Sequence, residues 1–378
     1  MKKKLIIHNG NISIGGQEKM LIEFLSILDP KKYDVLLLIE EDNGERNDYQ
    51  ERIPSWIKYK FLTTKEFMNK IEITKKSKNI LMKFYYSFLL KRKKKIALNE
   101  FKKYSSFSDI IIDYDMGLLR NLHKIDLQNK ILVGWSHAGE GELSKNKNKR
   151  KNIEKYDYIV TINEKMKKGY EQNTSHPKIL KIYNFLDFDS IQNKAKEKIE
   201  ENYKEYIINV GSLTDNKNQE FLINIFKILK EKYNRQEKLL IIGEGKTKEK
   251  LEYQIKKLRL EKDIFLLGQK KNPYKYVEKS LMYVLSSKTE GFSLTLLEAM
   301  NLKKMVVSTI SNGPKEIIQN NKYGVLIEDN IEKAAQVINF YLNNVEEKEK
   351  YEKLSFERSK IFSKEIGQKK IEEFIEKL

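Results

Sequence analysis

Short apolar runs alternate with amphipathic helical segments along this chain, and that alternation constrains its fold more than any other feature. In the first half the strand-like runs are Lys4–His8, Asp34–Ile39, Asp109–Asp113, Lys130–Trp135, Tyr158–Ile162 and Ile179–Ile182. Between the first two lies Gln17–Leu28, whose Met20, Leu21, Phe24, Leu25 and Leu28 recur at helical spacing. The second half repeats the pattern with strands at Tyr206–Val210, Lys238–Ile242, Asp263–Leu267, Leu281–Ser286 and Lys304–Ser308. Helices are expected there at Asn218–Tyr233, Lys246–Leu258 and Leu294–Asn301, and a terminal helix at Ser359–Leu378. Strands that alternate with helices predict βαβ units and a mostly parallel sheet. A length of 378 residues exceeds what one core supports, roughly 250–300 residues. Two successive doubly wound α/β domains follow, 1–185 and 186–358, with the change near the charged stretch Asn184–Glu205.

Composition removes several function classes. There is no cysteine, so disulfides and Cys-ligated zinc are excluded. No run of about 18 apolar residues can span a membrane. The apolar stretch after Lys2-Lys3-Lys4 is too short for a signal peptide, which predicts a cytoplasmic protein. The net charge of +19 is spread along a lysine-rich chain, a weak argument for nucleic acid. One segment concentrates it: Lys75–Lys103 holds 11 Lys/Arg and one acid, Glu100. Ile80, Leu81, Phe84, Tyr85, Phe88 and Leu89 interleave there at helical spacing. Such a helix suits an anionic membrane surface, and it also suits a solvated helix packed on its own domain. No helix-turn-helix, RRM-type or zinc pattern accompanies it, so no nucleic-acid partner is expected.

Three glycine loops sit between a strand and a helix, where backbone N–H groups can hold an anion. They are His8-Asn9-Gly10 continuing to Gly15-Gly16, Gly211 to Lys217, and Gly291-Phe292-Ser293. None has the full dinucleotide fingerprint, and there is no Walker A sequence. Glycine turns at such junctions also arise for steric reasons alone.

Around the third loop the string Glu290-Gly291-Phe292-Ser293-Leu294-Thr295-Leu296-Leu297-Glu298 resembles the E-x7-E element of retaining GT-B glycosyltransferases, in particular glycosyltransferase family 4. Val210–Gln219, Ile241–Gly245, Phe265–Gly268, Ser311–Ile317 and Tyr323–Leu326 resemble further elements of that family in the same order. The likeness is dense over residues 205–330 and thin before them, resting there on Gly15-Gly16, Trp135-Ser136-His137 and Ile182–Asp187.

The resemblance implies two Rossmann-like domains facing each other across a cleft, with the acceptor in the first and a nucleotide sugar in the second. It implies that helix 359–378 packs back on the first domain. Glu298 would bind the ribose hydroxyls and Lys217 the diphosphate. Glu290 would contact the donor sugar, and His137 would reach it from the opposite side. Gly15, Gly16, Gly211, Gly268, Gly291, Phe292, Ser293, Leu294 and Thr295 would line the donor site. Ser212 stands where many members have Arg, so leaving-group charge falls on Lys217, backbone amides or another cation. No metal and no cofactor is implied; UDP is the preferred nucleotide by family frequency. The implied reaction is retaining hexosyl transfer to a lipid-linked glycan acceptor in surface polysaccharide synthesis, on the inner face of the cell membrane. Two alternatives remain at this point: a same-fold nucleotide-sugar 2-epimerase, and a non-enzymatic basic protein that binds polyanions or membranes. For the residues themselves, Glu290 and Glu298 also fit solvated acids of a helix, and His137 a satisfied strand-end histidine.

Overall fold

The computed structural model describes residues 2–137, 151–201 and 203–378. The chain divides into two units, one of Met1–Tyr183 with Gly367–Leu378 and the other of Asn184–Ile366.

In the first unit the described strands are β1 (Lys3–Asn9), β2 (Tyr33–Ile39), β3 (Lys58–Phe61), β4 (Ile110–Asp113), β5 (Ile131–Ser136), β6 (Tyr158–Thr161) and β7 (Lys178–Lys181). They form one sheet in the order β3-β2-β1-β4-β5-β6-β7, parallel at every pairing. Helices α1 (Gly16–Ser26), α2 (Lys65–Lys76), α3 (Ile80–Tyr104) and α4 (Glu164–Asn173) accompany it. Central strands of a parallel sheet are covered on both faces, so they are continuously apolar rather than alternating. Leu5, Ile6 and Ile7 of β1 and Ile111 and Ile112 of β4 are accordingly fully buried. The edge strand β3, Lys-Tyr-Lys-Phe, is mostly exposed and has no apolar run to announce it.

The second unit opens with α5 (Phe188–Ala195). Its strands are β8 (Tyr206–Val210), β9 (Lys238–Ile242), β10 (Ile264–Leu266), β11 (Met282–Leu285), β12 (Val306–Thr309) and β13 (Val325–Ile327). The parallel sheet runs β10-β9-β8-β11-β12-β13. Helices α6 (Gln219–Glu231), α7 (Lys248–Lys257), α8 (Tyr274–Lys279), α9 (Leu294–Asn301), α10 (Asn312–Ile318), α11 (Ile331–Asn343) and α12 (Val345–Ser359) complete it, and α13 (Lys364–Glu376) follows. Both sheets are doubly wound: strand order reverses between β1 and β4, and between β8 and β11. Ligands of open α/β sheets bind outside the carboxyl ends of the strands at such reversals.

The C-terminal segment departs from the single helix expected over Ser359–Leu378. Helix α12 ends at Ser359, Lys360–Phe362 form a 3₁₀ turn, and Ser363 is extended. Ser363 instead makes a bridge to Leu186, and Phe362 is buried against Phe292. Within Gly367–Leu378, Ile371, Phe374 and Ile375 are buried in the first unit, and Phe374 meets Tyr158 edge to face. Lys3 caps this helix by donating from Nζ to the carbonyls of Ile375 (2.9 Å) and Glu376 (3.1 Å). A cation at a helix C-terminus meets the negative end of the dipole.

Candidate functional site

In the second unit the residues singled out by sequence converge on the strand reversal between β8 and β11. Gly211, Ser212 and Lys217 lie in the loop from β8 to α6, and Glu290 to Ser293 in the loop from β11 to α9. The two loops are tied together. The Ser286 hydroxyl donates to the Lys217 carbonyl (2.8 Å), and the Lys288 N–H donates to the Asn216 carbonyl (2.8 Å). Asn216 and Thr289 exchange two further hydrogen bonds of 2.9 and 2.6 Å. With both backbones fixed, Lys217 Nζ meets Glu290 Oε1 at 2.5 Å. The Ser287 hydroxyl donates to that same oxygen at 2.7 Å.

Glycines around these loops are required by close backbone approach. A Cβ on Gly243 would lie 1.9 Å from the Gly211 carbonyl oxygen, and one on Gly245 would lie 2.1 Å from that of Leu213. A Cβ on Gly313 would lie 2.6 Å from Phe292 Cα, and the Gly313 N–H donates to the Glu290 carbonyl. The motifs Ile241–Gly245 and Ser311–Ile317 thus seat the two loops. Gly268, left-handed after β10, accepts the Gly243 N–H at 2.9 Å.

Glu290 and Glu298 do not share a helix face. Glu290 precedes α9, whereas Glu298 is inside it and only 6% exposed. Leu294 and Thr295 open the helix, and the Tyr283 hydroxyl donates to Thr295 Oγ1 at 2.7 Å. Burial lifts the Tyr283 pKa far above the usual phenol range, so this donor keeps its proton. Ser212 is exposed; its carbonyl accepts from Gln219, and its side chain brings no charge. Ser287, Asn216 and Thr289 were invisible as site residues in sequence, because small polar residues in loops have no distinguishing spacing, and Tyr283 reads there as one more apolar position of β11.

In the first unit, Gly15 and Gly16 open α1. The Glu18 carboxylate folds back there, so that a Cβ on Gly15 would lie 2.0 Å from its Oε2. His137 follows β5, with its ring 4.8 Å from that of Tyr114. Its Nε2 is buried with no hydrogen-bond partner among the described residues. Burial, only partly offset by a hydrogen bond to the Tyr114 carbonyl, lowers the His137 pKa to about 3. The ring is therefore neutral at pH 7. A neutral imidazole that donates from one nitrogen offers a lone pair at the other.

A second cluster in this unit escaped the sequence reading. At the carboxyl ends of β1 and β4, His8 Nδ1 hydrogen-bonds Asp113 Oδ1 at 2.9 Å, and Nε2 faces Glu40 Oε1 at 3.4 Å. Asp113 also accepts from the Tyr156 hydroxyl (2.6 Å) and the Leu118 N–H (3.1 Å). Asp115 accepts from the N–H groups of Gly10 and Gly117, each at 2.9 Å. Ligand atoms of His8, Asp113 and Asp115 lie within 4.8 Å of one another. The carboxylates already accept these hydrogen bonds, and a protonated His8 cannot ligate a metal. Burial lowers the His8 pKa, but the hydrogen bond to Asp113 and the charges of Asp113 and Glu40 outweigh it and raise the value to about 10. Burial likewise raises Asp115 to about 6, against the pull of His8. The network is a buried ion cluster that fixes the loops leaving β1 and β4, in which His8 Nε2 faces Glu40 by charge and makes no hydrogen bond among the described residues.

Comparison with known proteins places these features in a family context. Residues 190–358 match the family model of glycosyl transferases group 1. Over 174 residues the chain is 38% identical to an uncharacterized glycosyltransferase of Methanocaldococcus jannaschii, covering 43% of this chain and 42% of that one. Over 185 residues it is 35% identical to N-acetylgalactosamine-N,N'-diacetylbacillosaminyl-diphospho-undecaprenol 4-alpha-N-acetylgalactosaminyltransferase of Campylobacter jejuni, covering 48% of this chain and 49% of that one. The chain thus spans about half or less of the length of these relatives. The crystal structure of HepE of Anabaena with UDP and glucose matches with a TM-score of 0.76 over 100% of both chains, at 15% identity. This likeness shows the fold, the two-domain α/β arrangement of GT-B proteins. Together with the sequence matches it supports a glycosyltransferase.

The His8 cluster carries a pH prediction. A group whose pKa is raised on folding stabilises fully below its unfolded value and loses that contribution as pH rises through the folded value. The stability difference between wild type and His8→Gln should therefore be largest below pH 6.5 and shrink as pH rises toward about 10. Urea unfolding followed by tryptophan fluorescence measures it, since Trp56 and Trp135 both lie in this unit. A difference that stays constant across that range would contradict the assignment.

Proposed function

We propose that this protein transfers a hexosyl unit from a UDP-sugar to a lipid-linked glycan acceptor, with retention of anomeric configuration. The observation that carries the reading is the pairing of Lys217 with Glu290 on loops tied together at the β8/β11 reversal, inside the segment that matches the glycosyl transferase model. Lys217 and the amides at the start of α9 hold the diphosphate. Glu298 accepts from the two ribose hydroxyls. Glu290 holds hydroxyls of the donor sugar. The acceptor oxygen attacks C1 on the face that the phosphate leaves. The C1–O bond to phosphate breaks, and the departing phosphate oxygen takes the acceptor's proton. Charge develops on the leaving diphosphate, so preorganised donors and a cation around it lower the barrier, and the protein need supply no separate base. A lipid-linked acceptor is supported by the Campylobacter relative, whose name describes a diphospho-undecaprenol substrate.

The hairpin α2–α3 supports peripheral attachment to an anionic membrane. One side of it packs inward through Met68, Ile71 and Leu89, and the end of α3 is buried at Ala97, Leu98 and Phe101. Five other apolar residues point out: Ile73 is 71% exposed, Leu81 72% and Phe84 71%, and Ile80 and Phe88 are exposed too. Exposed Lys78, Lys83, Lys91, Lys94 and Lys95 flank them. An apolar stripe rimmed by lysines matches an anionic bilayer interface, where each lysine contributes about 1 kcal/mol. Among the described residues no helix is long and apolar enough to cross a membrane.

Glu298→Ala should weaken UDP binding roughly tenfold or more, as expected for lost hydrogen bonds to a charged group. Isothermal titration measures this, and unchanged UDP affinity would count against the ribose assignment. Lys217→Ala should lower both UDP affinity and turnover. Release of free UDP only in the presence of acceptor distinguishes a transferase from a nucleotide-sugar 2-epimerase.

Vesicles of phosphatidylcholine with phosphatidylglycerol should retain the protein in flotation, and phosphatidylcholine alone should retain much less. Phe84→Asp with Phe88→Asp, and separately charge reversal at Lys91, Lys94 and Lys95, should each release it. Lys93 is left intact because it pairs with Glu41. Flotation insensitive to both sets of changes would sink the membrane assignment.

A further inference from the structure

The pair that marks the donor site also blocks it. Lys217 is the single cation in the loop Gly211–Lys217, because position 212 is serine. That cation is engaged by Glu290 at 2.5 Å, with both side chains largely withdrawn from water (26% and 12% exposed). The buried Ser287 holds the same carboxylate oxygen from the other side. Hydrogen bonds from Ser286, Lys288, Asn216 and Thr289 tie the two backbones together. The side chains are freer to rearrange, and lysine's flexible stem and point charge suit it to change partners.

We propose that Lys217 exchanges partners when the donor binds: the diphosphate takes the ammonium from Glu290, and the displaced carboxylate then takes the sugar hydroxyls. This inference rests on the donor-site reading above. One ammonium cannot neutralise a carboxylate and a diphosphate together. The diphosphate carries more charge and more acceptor oxygens, so it wins the cation, and repulsion turns Glu290 away from it. Glu290 is thereby held off the sugar subsite until a diphosphate is in place. A nucleotide without a sugar breaks the ion pair and leaves Glu290 with no new partner. A nucleotide sugar restores that loss through the sugar hydroxyls. Ser287 is a positioning residue, since it holds the carboxylate at the point of exchange.

The test is UDP binding to wild type, Glu290→Gln and Ser287→Ala by isothermal titration, with GDP and ADP as parallel probes. Glu290→Gln keeps the shape and removes the competing charge. It should bind UDP roughly fivefold to tenfold more tightly than wild type, the reverse of what loss of a binding residue does. Ser287→Ala should shift affinity in the same direction by less. Lys217→Met should weaken UDP binding and abolish the effect of Glu290→Gln in the double variant. Unchanged or weaker UDP binding by a folded Glu290→Gln protein, with Lys217→Met still impaired, would overturn the exchange and leave the donor site standing. No binding of any of the three nucleotides to wild type would overturn the donor reading itself, and the exchange with it.

Discussion

Four hydrogen bonds between the segments 216–217 and 286–289 hold the candidate site together. A doubly wound parallel sheet brings the ends of β8 and β11 side by side, and that adjacency alone does not set side-chain geometry. The links from Ser286, Lys288, Asn216 and Thr289 join the two neighbouring loops. Lys217 and Glu290, 73 residues apart in sequence, then meet at ion-pair distance. Gly243, Gly245 and Gly313 follow from the same constraint, since each leaves room for a backbone atom that any side chain would strike. Preorganisation of this kind is what transition-state stabilisation by fixed charges demands.

The first unit solves a different problem at the equivalent reversal. There the strand ends are filled by a buried charge network rather than an ion pair open to exchange. Asp113 receives three hydrogen bonds, and His8 stays protonated between carboxylates. Removing one member of such a network leaves an uncompensated buried charge, which is far more costly than the net worth of the intact pair. The network fixes the loops leaving β1 and β4. Next to it His137 is kept neutral by burial. The same unit carries the α2–α3 hairpin, which divides its apolar residues between its own core and the surface.

Much of the fold was legible because central strands of parallel sheets must be apolar throughout. Leu5–Ile7, Ile207–Ile208 and Val306–Val307 announce themselves in that way. The edge strand Lys58–Phe61 did not, since an exposed edge bears lysines, and Val325–Ile327 is too short for a period to show. The break at Ser363 was hidden because Ile361 and Phe362 continue a helical pattern while their packing serves a turn. At the site, the glycine loops and the two glutamates were visible as a motif. Their division between a loop and a helix was not, nor was the pairing of Glu290 with Lys217, because contacts across a parallel sheet leave no trace in local spacing. The His8–Asp113–Glu40 cluster was missed for the same reason: its members end three different strands. The basic segment 75–103 admitted a packed and an exposed reading, and the structure assigns different residues of one stripe to each.

The central claim is that a nucleotide diphosphate binds at the carboxyl ends of β8 and β11. Hydrogen–deuterium exchange with and without saturating UDP tests it most directly, because ligand contacts slow exchange where they form. The account predicts protection at residues 211–217 and 290–298, with the α2–α3 hairpin unchanged. Exchange that stays the same in both loops while UDP is bound, or protection confined to the first unit, would contradict it.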